Sequence, residues 1–341
     1  IIAIAFFYPV LQGKAIWQSD IVQYTGMAKE RNDYRLSDNK ESYWTNSAFG
    51  GMPTYQLGAH YPYDLVKKLD QTLRFLPRPA DYLFLYFIGF YILLLVLKVD
   101  MRTAVLGAIA FGLSTYLIII LGVGHNAKAH AIAYFAPALA GILLVFQRKY
   151  LWGGLLTAIA LSLEIGANHF QMTYYLFIGI GFLFLSELIR VLLKKSDWKH
   201  FGISSGVLAL AFLLGIGMNS QRLLANREYA EETVRGKQIL EDEKQNHASK
   251  DGMNRDAMQM WSYGKLETLN LFIPRIYGGS SQEKGSDRIM QNIQDLVQEN
   301  ATSQEEVDNI VKGFSSPTYW GEQPGTAGPA YQGAVVCFLA F

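Results

Sequence analysis

Residues 129–146 read AHAIAYFAPALAGILLVF, with His130 the lone ionisable side chain besides Tyr134, and Gln147-Arg148-Lys149 closes the run. An α-helix rising 1.5 Å per residue needs about 20 mostly apolar residues to cross a hydrocarbon core of roughly 30 Å. A helix on a soluble protein would carry a polar outer face, and this one does not. Working outward, runs of the same kind recur at Tyr82–Leu97, Thr103–Val123, Leu151–Ala167, Phe170–Ile189 and Phe201–Met218. With Ala129–Phe146 they make six predicted spans. Ile1–Leu11 and Tyr331–Phe341 have about half the required length and read as spans cut short at either end, so the chain is expected to be a fragment. Composition agrees, because 50% of the residues are hydrophobic and only 17% are charged, against about 25% charged in average soluble chains. A net charge of +1 excludes a basic nucleic-acid binder and an acidic disordered tail. Cys337 is the single cysteine, which excludes a disulfide framework and a cysteine-ligated zinc site.

Short loops give the orientation. Lys98 and Arg102, then Arg148 and Lys149, then Arg190, Lys194, Lys195 and Lys199 fall on one side if every span crosses once. The positive-inside rule places that side in the cytoplasm. The predicted organisation is then a partial first span (1–11), a first extracytoplasmic loop with short interfacial helices (12–81), six transmembrane helices (82–218), a second extracytoplasmic segment (219–330) and the start of a further span (331–341). The fold class is an all-α polytopic membrane protein. In the first loop, Tyr63–Phe75 suits a helix lying on the membrane. In the second, a helix is expected to leave the membrane over Asn219–Lys250, and Ser281–Lys312 carries an amphipathic face through Ile289, Ile293, Leu296 and Val297.

Three constellations carry chemistry. Asp20, in Gln18-Ser19-Asp20, stands just past the first span and is placed to accept a proton from a hydroxyl or to bind a metal, although spacing alone favours a solvated loop acid or a helix N-cap. Gly124-His125-Asn126-Ala127-Lys128-Ala129-His130 opens a span whose first backbone N–H groups lack partners. Lys128 with His125 and His130 makes a phosphate cradle there, or else Lys128 reaches for lipid headgroups and the histidines cap. Glu164, inside an apolar span, with Asn168, His169 and Gln171 marks a polar end of the next hairpin. A carboxylate at bilayer depth faces a wet cavity or a partner rather than lipid. No HExxH pattern supports a metal, and neither GxxxxGK(S/T) nor GxGxxG after a strand is present, nor GxSxG.

The strings Gln18-Ser19-Asp20, Trp44-Thr45-Asn46-Ser47-Ala48-Phe49-Gly50-Gly51-Met52-Pro53 and Tyr319-Trp320-Gly321-Glu322-Gln323-Pro324, with Gly328-Pro329-Ala330-Tyr331, resemble the bacterial YfhO-like membrane protein family. Tyr229 followed by Arg235-Gly236, and Ser262 to Glu267 leading into Phe272-Ile273-Pro274 and Gly278-Gly279, extend the likeness along the chain. Members of that family are much longer, so the resemblance covers their N-terminal half. It implies a C-type glycosyltransferase (GT-C) helix bundle with two large extracytoplasmic loop segments, a polyprenyl-phosphate-linked sugar donor and a glycan or envelope-polymer acceptor, in the bacterial cytoplasmic (inner) membrane. Asp20 matches the family's loop acid. A divalent metal is left open, because a single loop acid stands where such folds often carry an adjacent pair.

The resulting expectation is transfer of a sugar outside the membrane with inversion at the anomeric carbon. Asp20 is the candidate catalytic residue. His125, Lys128, His130, Glu164, Asn168, His169, Gln171 and Glu267 are the candidate substrate-binding residues. Membrane lipids are expected partners and nucleic acid is not. The rival reading is a non-catalytic scaffold or a transporter of lipid-linked sugars. A transporter would want broken, polar helices near the midplane, whereas the polar groups here cluster at span ends.

Overall fold

The computed structural model describes residues 1–194, 197–233, 255–283, 287–300 and 318–340, with the single positions 236, 303, 305 and 307. The chain is mostly helical. The helices are α1 (Ile2–Phe6), α2 (Ser19–Met27), α3 (Lys29–Asp38), α4 (Leu65–Leu73), α5 (Ala80–Val96), α6 (Met101–Gly112), α7 (Thr115–Val123), α8 (Asn126–Ala133), α9 (Phe135–Phe146), α10 (Tyr150–Gly166), α11 (Phe170–Lys194), α12 (Trp198–Met218), α13 (Ser220–Glu231), α14 (Arg255–Gln259), α15 (Asp287–Asn300) and α16 (Ala334–Ala340). One short antiparallel ladder pairs β1 (Trp44–Thr45) with β2 (Met52–Pro53).

The six predicted spans are all helical, but they are not six equal crossings. Among the described residues, three stretches are long and apolar enough to cross a membrane: Asn126–Phe146, which joins α8 to α9, Phe170–Leu193 within α11, and α12. The bent pair α6 and α7 makes a fourth if it counts as one span. Helices α5 and α10 have 17 residues each, a length of about 25 Å. Each stops where the chain turns through a left-handed residue, Lys98 after α5 and Asn168 after α10. The predicted run Thr103–Val123 breaks at Leu113–Ser114. At the end of α6, Gly112 lies so close to Phe87 that a Cβ would sit 2.5 Å from the ring. A second interruption, at Tyr134, follows from Pro137. Proline has no N–H to give the carbonyl of Ala133, and Gly89 of α5 approaches at that point, where a Cβ would lie 3.1 Å from that same oxygen.

Outside the spans, the predicted interfacial helix Tyr63–Phe75 is present as α4, capped by Asp64, whose side chain accepts from Lys67 N at 2.8 Å. Of the helix predicted over 219–250, Ser220–Glu231 is helical as α13 and the chain leaves the helix at Glu232 and Thr233; residues 234–235 and 237–250 lie outside the described residues. The amphipathic stretch 281–312 contains α15, and 284–286, 301–302, 304, 306 and 308–312 lie outside the described residues.

The chain forms two compact units, one made of Ile1–Leu113 and Ile120–Thr233, the other of Ser114–Ile119 and Val234–Phe341. In the first, α9 and α10 cross backbone against backbone. A Cβ on Gly153 would fall 2.6 Å from Val145 N, and one on Gly141 2.6 Å from Thr157 N. Small residues at a crossing permit the close approach on which apolar helices in lipid depend. Ile142, Phe146, Leu161, Leu176 and Leu208 fill the core around it. Polar side chains then fasten the two ends of the bundle. At one end Arg148 pairs with Asp197, Gln147 donates to Val96 O at 2.9 Å, and His200 reaches Phe146 O at 3.0 Å. At the other, Gln18 donates to Leu121 O (2.6 Å), Tyr86 to Ala129 O (3.0 Å), Asn219 to Ser162 O (2.8 Å) and Arg222 to Gly166 O (2.8 Å).

In the second unit the segments 261–283 and 318–332 are laced together. Ser281 N donates to Thr326 O (2.8 Å), Trp320 N to Tyr277 O (3.2 Å) and Gln323 Nε2 to Trp261 O (2.6 Å). Gly278 has φ of 84°, and a Cβ there would collide with the Thr318 carbonyl at 1.6 Å.

Candidate functional site

The second set of end-fastenings surrounds a cavity of about 570 Å³ in the first unit, within the usual range of small-molecule sites. It is built where three turns meet. The turn before α8 is pinned by Gln18, whose Cβ lies against Gly124; a side chain at Gly124 would meet it at 2.8 Å, and φ there is 92°. That contact sets the next residues, Ser19 and Asp20, at the N-terminus of α2 beside the start of α8. The turn from α10 to α11 brings Gly166, Ala167 and Asn168. The junction of α12 and α13 brings Arg222 and Asn226.

Asp20 lines the cavity, and its Oδ2 lies 3.0 Å from His125 Nδ1. Lys128 is close enough to feel the Asp20 carboxylate, and His169 feels both Lys128 and His125. The structure therefore brings together Asp20, His125, Lys128 and His169. Burial and Lys128 push the His125 imidazole below its ordinary range, against the pull of Asp20. Burial and Lys128 likewise push His169 down. Among these four, only Asp20 belongs to the cavity wall.

His130 is on the wall but is not free to join Lys128. Its Nε2 is hydrogen-bonded to Asp70 Oδ1, which also accepts from the Tyr134 hydroxyl at 2.8 Å. Arg74 donates to Asp70 Oδ2 from Nε (2.9 Å) and Nη2 (2.7 Å), and from Nη1 to Asp81 (3.2 Å). Burial works to raise the Asp70 carboxyl, but the hydrogen bonds and charges of His130 and Arg74 outweigh it and hold it well below the usual carboxylate range. Burial likewise works against the Arg74 cation, and Asp70 more than restores it.

Asn168 is on the wall and accepts from Asn226 Nδ2 at 2.7 Å. Glu164 is fully buried on α10, takes one hydrogen bond from Thr173 Oγ1 (3.0 Å), and its Oε2 has no partner. Gln171 is exposed and donates to Tyr175. Neither residue lines the cavity. Glu267 belongs to the second unit, where it is buried and accepts from Gly264 N (3.1 Å) and the Tyr319 hydroxyl (2.7 Å). It ties the two laced segments of that unit together. Burial and this bond push the Tyr319 hydroxyl up to about 12. Among the described residues there is no group of three or more His, Cys, Asp or Glu able to hold a metal ion.

Sequence reasoning missed most of the wall: Lys67, Asp70, Arg74 and Arg78 from α4 and the turn after it, and Arg222 and Asn226 from α13. One signal was available. Val66 and Asp70 share the buried face of α4, and an acid on the apolar side of an amphipathic helix needs a partner. Arg222 pairs with Asp64. Arg78 stacks on the Tyr82 ring at 5.1 Å and meets Asp81 only at 3.9 Å, and Lys67 has no ion pair among the described residues. Burial and Arg222 push the Lys67 ammonium down. The wall thus offers an acid at one edge, two weakly committed cations, and the amides Gln56, Asn126, Asn168 and Asn226.

The chain matches no family model, no curated protein and no solved structure.

Proposed function

We propose that the protein is an integral-membrane glycosyltransferase of the GT-C type, akin to the YfhO-like family, which moves a sugar from a polyprenyl-phosphate donor to an envelope glycan on the outer face of the bacterial inner membrane. The observation that carries this reading is Asp20 on the wall of a cavity that also presents Lys67 and Arg78. A lipid-phosphate sugar needs an anion site, a polar pocket for the ring, and a base beside the anomeric carbon. In this reading the bundle is multi-pass, with the cavity end outside and the Arg148 end in the cytoplasm. Asp20 takes the proton of the acceptor hydroxyl as its oxygen attacks the anomeric carbon, and the bonding electrons of the departing bond go to the phosphate. General-base help of this kind supplies roughly 10²–10⁴-fold. Arg78 and Lys67, with Lys128 in the field of Asp20, stabilise the phosphate's growing charge, as fixed cations do in a partly dry site. A single displacement by the acceptor oxygen, with one carboxylate as its base, inverts the anomeric centre.

Asp20→Asn tests the proposal. Sugar transfer from lipid-linked donor to the envelope fraction is expected to fall by about 10²–10⁴-fold, with thermal stability unchanged. Full transfer by that variant ends the reading.

A further inference from the structure

The wall also contains polar groups that the phosphate and base chemistry above leaves unused. Asn126 and His130 stand one turn apart on α8 and, with Ala127, line the cavity together. Asp70 occupies Nε2 of His130, and its Nδ1 has no hydrogen bond among the described residues. Both amide atoms of Asn126 are buried without a partner. The amide therefore holds an NH2 donor and a carbonyl acceptor that no neighbour uses. Also on the wall, Gln56 donates to Asn226 and Asn226 to Asn168. That chain leaves Gln56 Oε1 and Asn168 Nδ2 uncommitted among the described residues.

We propose that this part of the cavity is a subsite for a neutral pyranose, in which Asn126 and His130 Nδ1 read two adjacent ring hydroxyls and Asp70 is the positioning residue for His130. The chemistry selects the ligand. A phosphodiester oxygen can accept from Asn126 Nδ2 but has no proton to donate to Oδ1, whereas a hydroxyl does both. Two neighbouring hydroxyls match an amide and an imidazole set one helical turn apart. The inference rests on the transfer reading for the purpose of the sugar, though not for its binding.

The experiment is saturation-transfer NMR on the full chain in detergent, with the methyl pyranosides of glucose, galactose, mannose and N-acetylglucosamine as probes and dimethyl phosphate as the charged control. At least one glycoside is expected to bind saturably, and dimethyl phosphate is not expected to displace it. Asn126→Ala should weaken that binding at least about tenfold with the unfolding temperature kept. Asn126→Asp, which keeps the acceptor and loses the donor, should fall between the two. The proposal is overturned if no glycoside binds, if dimethyl phosphate competes, or if both Asn126 variants bind like the wild type. Asp20→Asn separates the two readings. Sugar binding with transfer intact in that variant sinks the catalytic assignment alone, and loss of transfer in a protein that binds none of the glycosides sinks the subsite alone.

Discussion

Helix α8 carries two carboxylate–imidazole pairs, and they differ in everything except chemical type. Asp20 and His125 at its start have side chains 47% exposed each, while Asp70 and His130 five residues on are 8% and 13% exposed. The outer pair has one contact, at 3.0 Å. The inner pair sits in a closed set of hydrogen bonds from Tyr134 and Arg74. Solvent screens the outer pair, so its attraction contributes little to stability. Removing one member of the inner pair strands charges away from water. The difference teaches which pair can be altered without disturbing the fold, and hence which can serve reaction chemistry. A base that must gain and lose a proton in each turnover is better placed where its loss leaves the helix bundle standing.

The contrast breaks first in a pair of variants. Asp70→Ala is expected to destabilise the protein by about 3–5 kcal/mol, because Arg74 and His130 stay buried without their carboxylate. Asp20→Asn is expected to change stability by no more than about 1 kcal/mol while abolishing transfer. Thermal unfolding of both in the same detergent decides the point, and equal losses would mean that burial does not separate the pairs. Acid sharpens the same contrast. The folded state holds Asp70 below the ordinary carboxylate range, so the unfolded chain binds the proton more readily. Its contribution is therefore complete above about pH 4 and is lost as the pH falls through that value and below. Wild type should lose more stability than Asp70→Ala over that interval, as read by unfolding at stepped pH.

Much of this was legible in the sequence, and what was hidden has a physical reason. The helical runs showed because lipid imposes one composition on every exposed span. Their unequal lengths did not, since Pro137, Gly112 and Gly89 act through neighbours distant in the chain. Asp20, His125, Lys128 and His169 could be named as candidates because each lies at a span end, where a polar residue stands out against its surroundings. Asp70 lies in a segment rich in charge, where only its place on the Val66 face of α4 sets it apart, and Arg222 has no such local mark. Asn126 was read as part of a helix start; only the loss of partners for both its amide atoms singles it out.

The smallest expected effect concerns His125. Burial and Lys128 keep its imidazole below the ordinary range, so near neutral pH it is uncharged, and the 3.0 Å contact has Nδ1–H donating to Asp20. A neutral donor leaves the carboxylate most of its basicity. Once the pH falls below about 6.5 and the ring gains a second proton, the imidazolium competes for the lone pairs that would take the acceptor's proton. Transfer should therefore decline on an acid limb whose midpoint lies below the usual imidazole value. In His125→Gln the amide still donates to Asp20 but cannot titrate. The limb should vanish, while the plateau rate changes by no more than about fivefold, the scale of one exposed contact. Initial rates across pH for both proteins measure this directly. An acid limb that persists unmoved in His125→Gln would show that the group being protonated is another one, and Asp20 would then work without the partner that stands nearest to it.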